Sequence, residues 1–252
     1  MAINIEAMRA KLEASKSGGK PSGRKSTMWK PSAGDQMIRI LPTKDGDPFR
    51  EFQFHYNVGK NPGIYCNKRN DGGECAICDF ASKLWRDGVE SDDQNLKNEA
   101  KKLFARKRYY SPVLVRGNEA DGVKIWAYGK TAYESLLGYV LDPDYGDITD
   151  PETGTDIKLT YTIPGTPGSF PKTILKPRRR PSVLCDDDVA DCEVLLDSIP
   201  EISSFFERKS SEDVQAILDE FLSNETTSEG RSSETAKYGT DAVNDAFEKL
   251  MS

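Results

Sequence analysis

One histidine and three cysteines stand close together in this chain: His55, Cys66, Cys75 and Cys78, spaced H-x10-C-x8-C-x2-C. They are the sole histidine and three of the five cysteines in 252 residues. One imidazole nitrogen and three thiolates form a donor set that tetrahedral structural zinc sites use. The Cys75-Ala76-Ile77-Cys78 pair can turn both sulfurs toward one ion in a turn entering a helix, and Gly72-Gly73 supplies the bend before it. A Cys-x-x-Cys pair can also do redox chemistry, but that motif follows a strand, and here a Gly/Asn/Asp-rich loop precedes it. A single histidine can equally be a satisfied, half-buried side chain. The ligand count and spacing favour one structural Zn2+ held by all four. Such a closed set leaves no position for a reacting water, which argues against metal-centred hydrolysis.

A second pattern interleaves cations with aromatic rings. In "KKLFARKRYY" (101–110), Arg106, Lys107 and Arg108 come directly before Tyr109 and Tyr110. In "KIWAYGK" (124–130), Lys124, Trp126, Tyr128 and Lys130 share one face if the segment is a strand. Lys176 and Arg178 to Arg180 close "ILKPRRR". A Lys-Trp-Tyr-Lys face makes poor core and a good surface for single-stranded nucleic acid, with rings to stack bases and cations for the phosphates between them. The competing reading is a barrel strand whose rings are core. Other chemistry is scarce. There is no Gly-rich phosphate loop, no nucleophile elbow and no carboxylate pair placed for acid–base work. With His55 committed to metal, no histidine remains.

The elements that must hold these residues follow from periodicity. Residues 3–15 read as a short amphipathic helix, and 16–27 as a flexible basic linker. Strands are predicted at 36–42 and 49–56. The second of these puts Phe52, Phe54 and Tyr56 on one face and His55 on the other. Helices are predicted at 76–88, ending at Gly88, and at 93–107. A hairpin follows (109–117 with 122–129), then a helix (131–141), an acidic turn-rich loop (142–156) and a second hairpin (157–165 with 170–177). About six short strands, mostly in hairpins, fit a small closed barrel such as the OB-fold, or an open antiparallel sheet. Past Pro181 the pattern is helical and acidic. Residues 224–241 are polar and read as disordered, and the chain ends in a short amphipathic peptide.

Hydrophobic residues make up 37% of the chain and charged residues 30%, so part of it is expected not to pack. No apolar run approaches the roughly 18–20 residues of a membrane span, and the N-terminus lacks a signal-peptide core. Cys185 and Cys192 are left over. They read as free thiols on an acidic helix, which fits a reducing compartment. The net charge of −6 hides a division. Residues 1–180 carry net +7 and residues 181–252 carry net −13. A basic body followed by an acidic segment suits a polyanion-binding domain with an interaction or self-masking tail.

Taken together, "MIRILPTKDGDPF", the His/Cys set, "ARKRYYSPVLV" and "KIWAYGK" resemble the gene-32-type single-stranded DNA-binding (helix-destabilising) proteins of large tailed bacteriophages. The likeness covers about residues 29–180. It implies a mainly β fold with α additions. An OB-fold five-stranded barrel core (29–180) would carry a zinc-binding subdomain (55–90). A helical N-terminal arm (1–28) would serve self-association along the strand, and an acidic C-terminal segment (181–252) would meet replication and recombination proteins. By the same resemblance His55, Cys66, Cys75 and Cys78 hold zinc. Arg106, Lys107, Tyr109, Tyr110, Trp126 and Tyr128 lie at a DNA cleft, beside the cations Arg108, Lys124, Lys130, Lys176 and Arg178 of the basic-aromatic pattern. The function expected is sequence-independent coating of single-stranded DNA in phage replication, recombination and repair. It would be non-enzymatic and would take place in the cytoplasm of an infected bacterium, away from membranes. The alternatives are a zinc-containing nuclease or other nucleic-acid-modifying enzyme, and an RNA-binding regulator.

Overall fold

A computed structural model describes residues 27–165, 170–185 and 189–228, side chains at 189–191 and 224–228 excepted. The helix expected at 3–15, nearly all of its basic linker and the chain beyond 228 lie outside these residues. The elements run β1 (Met28–Trp29), β2 (Gly34–Ile40), β3 (Arg50–His55), β4 (Ile64–Tyr65), α1 (Asn67–Asn70), α2 (Ala76–Glu90), α3 (Gln94–Leu103), β5 (Arg106–Val115) and β6 (Lys124–Tyr128). There follow α4 (Lys130–Leu141), β7 (Ile157–Thr162), β8 (Lys172–Pro177), α5 (Val189–Asp197) and α6 (Ser211–Ser228). No helix among the described residues is long and apolar enough to cross a membrane.

The chain forms two compact units. The first comprises the described residues of Met1–Pro48, Ser111–Ala127 and Glu134–Pro200. Its strands lie in the order β1-β6-β5-β2-β7-β8. β2 is central, antiparallel to β5 (Ile38 opposite Val115) and to β7 (Ile38 opposite Ile157). Ile38, Ile40, Val113, Ile157 and Leu159 are buried; β7 alternates around the exposed Lys158, whereas β2 at Ile38–Ile40 and β5 at Val113–Val115 are covered on both faces. β7 and β8 form the expected hairpin, with Leu159 opposite Leu175. The closed five-stranded barrel is not what is seen. Among the described residues the path is open, ending at β1 and β8, and it is mixed, because the two-residue β1 runs parallel to β6. A barrel needs its end strands to pair, and here they do not meet in the path.

Arg39 of β2 is wholly buried and organises the loops of this unit. Its Nη1 donates to Asp156 Oδ1 at 3.3 Å and its Nη2 to the carbonyls of Asp150 and Ser182, each at 2.8 Å. Arg116 donates to the same Asp156 carboxylate and to the carbonyls of Val183 and Leu184. Gly154 sits against this network. A Cβ there would fall 2.8 Å from Arg39 Nη2 and closer still to the Asp150 carbonyl. Held by these arginines, residues 182–184 lead into Cys185, which is disulfide-bonded to Cys192 of α5 with Cα atoms 5.6 Å apart. The two were expected as free thiols. They pair because α5 folds back over Leu41, Leu114 and Leu184, bringing both sulfurs under the same apolar patch.

The second unit comprises Phe49–Tyr110, Tyr128–Tyr133 and the described residues of Glu201–Ser252. Here β3 lies between β4 and the first half of β5. α2, α3 and α6 pack together through Ile77, Phe80, Leu84, Leu96, Ala100, Val214, Leu218 and Phe221. α2 does not stop at Gly88. It runs through to Glu90, and Gly88 marks a close approach, since a Cβ there would lie 2.9 Å from the Leu96 Cβ. α3 stops at Leu103 rather than 107, because Phe104 turns extended and Arg106 begins a strand. Phe206 inserts among Phe52, Phe54 and Tyr110, with ring centroids 4.8 to 5.0 Å apart.

Candidate metal centre and nucleic-acid interface

The four candidate metal ligands all belong to the second unit, and short elements aim them. His55 ends β3, Cys66 caps α1, Cys75 caps α2, and Cys78 lies in the first turn of α2. Gly72, at φ +75°, makes the left-handed turn before the cysteine pair, a conformation glycine adopts without strain. The Cys66 Sγ accepts the Arg69 N–H at 3.4 Å, as an N-cap oxygen would. The Cys75 side chain makes no capping bond, and its Sγ instead approaches His55 Nε2 at 3.3 Å. Cys78 Sγ lies 3.5 Å from His55 Nε2 and 3.5 Å from Cys66 Sγ.

All four residues are buried, and their donor atoms lie within 4.8 Å of one another. With bonds of about 2.3 Å to sulfur and about 2.0 Å to nitrogen, tetrahedral ligands stand roughly 3.5–3.8 Å apart. The residues therefore fit one tetrahedral ion with little movement. His55 Nδ1–H donates to the Leu103 carbonyl at 2.8 Å. That bond fixes the tautomer and directs the Nε2 lone pair at the sulfurs. The sequence offered no sign of it, since a carbonyl belongs to every residue.

His55, Cys75 and Cys78 are displaced from their ordinary protonation ranges by one another and by their neighbours. Burial works to lower the His55 pKa, but hydrogen bonds with Cys66, Cys75 and the Leu103 carbonyl outweigh it and bring the value up to about 9. Contact with Cys66, then with Cys78, drives the Cys75 thiol far below its ordinary range. Cys78 is driven far above, first by Cys66 and then by Cys75. A metal ion would take these groups as thiolates and neutral imidazole, releasing protons as it bound.

The nucleic-acid candidates divide between the units. In the second unit Arg106 and Lys107 are exposed and Arg108 is half-buried at the start of β5. Lys107 pairs with Glu51 at 2.9 Å. Tyr109 and Tyr110 point to opposite sides of that strand, and both are buried. Tyr109 stacks on Tyr133 at 3.9 Å, with the rings 7° from parallel, and its ring lies 6.2 Å from that of Tyr128. Tyr110 joins the Phe206 cluster, and its hydroxyl pKa is raised mainly by burial. Lys130 is exposed at the start of α4. In the first unit Lys124 is half-buried, Trp126 is 1% exposed, and Lys176 and Arg178 are exposed.

The expected surface stripe on β6 is thus corrected. Trp126 and Tyr128 are core rings, the former edge-on to Trp29 at 6.4 Å and the latter in the tyrosine stack. Ile125, on one face of β6, and Trp126 and Tyr128, on the other, are all buried, so both faces of this strand meet protein instead of solvent. Tyr133 was missed because it reads as one turn of an ordinary helix.

The chain was compared with known proteins. A family model described as "gp32 DNA binding protein like" matches residues 32–222. No curated protein matches.

Proposed function

The chain belongs to the gp32-like DNA-binding protein family, and from that premise we propose that it is a sequence-independent single-stranded DNA-binding protein. The family match over residues 32–222 carries this reading. The exposed cations Arg106, Lys107, Lys130, Lys176 and Arg178, with the half-buried Arg108 and Lys124, supply phosphate neutralisation, the main source of affinity for such a ligand. The ion held by His55, Cys66, Cys75 and Cys78 is Zn2+ in a structural role, as the donor set favours. Its work is to tie β3, α1 and α2 into one core.

The role we assign is coating and protecting single strands during phage DNA replication, recombination and repair in the cytoplasm of the bacterial host. Self-association along the strand falls to residues 1–28. Partner proteins of replication and recombination meet the acidic C-terminal segment. The protein is non-enzymatic on this reading, and the zinc nuclease is the rival. Fluorescence anisotropy with a labelled dT oligonucleotide, with the oligonucleotide recovered afterwards, separates them. Tight binding with the strand intact, in the presence of Zn2+ or Mg2+, supports the proposal. Metal-dependent cleavage contradicts it.

A further inference from the structure

The β7–β8 hairpin carries an exposed face that the buried rings of β6 do not explain. Along β8 the even positions Lys172, Ile174 and Lys176 are exposed, while Thr173 and Pro177 are half-buried and Leu175 is buried. Ile174 is 49% exposed, and Phe170, two residues before Lys172, is 87% exposed. A single exposed apolar side chain is ordinary, but here Phe170 and Ile174 stand along one short segment that also carries Lys172 and Lys176. Across the hairpin Lys158 stands directly opposite Lys176. Like charges facing each other across a ladder destabilise a sheet. Asp35 of β2 partly offsets them by accepting from Lys158 Nζ at 2.7 Å and from Thr160 Oγ1 at 2.6 Å. Lysines on an edge strand can serve only to prevent edge-to-edge pairing, but that explains neither Phe170 nor the facing pair.

We infer that this face is a contact surface for the single strand, with Phe170 as a base-stacking ring and Lys172, Lys176 and Lys158 as phosphate partners. The inference rests on the proposed function and places an aromatic contact where that reading had none. Rings that stack bases must be reachable, and Phe170 is the large aromatic side chain most open among the described residues.

The test compares full-length parent, Phe170→Ala and Lys172→Ala in anisotropy titrations with a dT oligonucleotide across a salt series. Both residues are exposed, so thermal melts should coincide. The inference predicts that Phe170→Ala weakens binding about tenfold with an unchanged salt slope. Lys172→Ala should weaken it and flatten the slope by about one ion. Unchanged affinity in both variants, with a parent that binds, overturns the inference alone and leaves the lysines as guards of the edge. A parent that binds no single strand overturns the proposed function and this inference with it.

Discussion

At the scale of single residues, the buried cluster that could hold a metal ion was legible in the sequence because its chemistry is rare and its spacing short. What spacing could not show is that His55 reaches its place through the Leu103 carbonyl, and that the same core holds residues of α6. Metal removal should therefore be felt beyond the loop. Chelation, or Cys78→Ser, is expected to lower the melting temperature and to speed amide hydrogen exchange at 55–90 and at Val214 to Leu222 together, because metal-binding energy is folding energy here. A chelated sample that melts like the untreated one would refute this. The rings of β6 were misplaced for a different reason. Lysines flanking a Trp and a Tyr look like surface in a sequence, but lysine stems can run along apolar surface while the head stays wet. With Trp126 at 1% exposure, Trp126→Ala is expected to cost about 3–5 kcal/mol in stability. Chemical denaturation measures this directly. A stable variant with weakened DNA binding would instead restore the ring to the surface.

At the scale of elements, most strands and helices followed from alternation and from turn residues. The β7–β8 hairpin and the helices after the cysteine pair were readable in this way. β1, β4 and α1 were not, since two to four residues carry no period. The open sheet was not decidable from the strand list either, because pairing between distant strands depends on register rather than on local pattern. Loop chemistry was equally hidden. Asp150 Oδ1 accepts from the Glu152 and Thr153 amides and from the Thr153 hydroxyl, at 2.7 to 2.9 Å. These bonds, with Thr153 foremost, hold its pKa below the ordinary carboxylate value. A depressed folded pKa contributes stability that is complete above the unfolded value and is lost as pH falls through the folded one. Melting temperature should thus fall as pH drops below the ordinary carboxylate value of about 4, and Asp150→Asn should flatten that fall. An identical acid profile for parent and variant would remove Asp150 from the account.

At the scale of the whole molecule, the charge division between residues 1–180 and 181–252 suggested one body and one tail. The structure shows that much of the acidic segment is packed. Ser182 to Leu184 are held by Arg39 and Arg116, while Phe206, Val214, Leu218 and Phe221 help build the core of the second unit. Charge composition could not distinguish these residues from a solvated arm, because their polar faces carry the acids. A cut near Pro181 is accordingly expected to lower the melting temperature sharply relative to the full chain. Calorimetry decides the matter, and equal stability would return the segment to the tail.

The claim that matters most is preference for a single strand. Its most direct measurement is a competition titration at fixed salt, in which poly(dT), an RNA homopolymer and duplex DNA each displace a labelled dT oligonucleotide from the protein. The account predicts displacement by poly(dT) at the lowest concentration, with every affinity falling as salt rises. Displacement by duplex DNA or by RNA at equal or lower concentration than poly(dT) would contradict it.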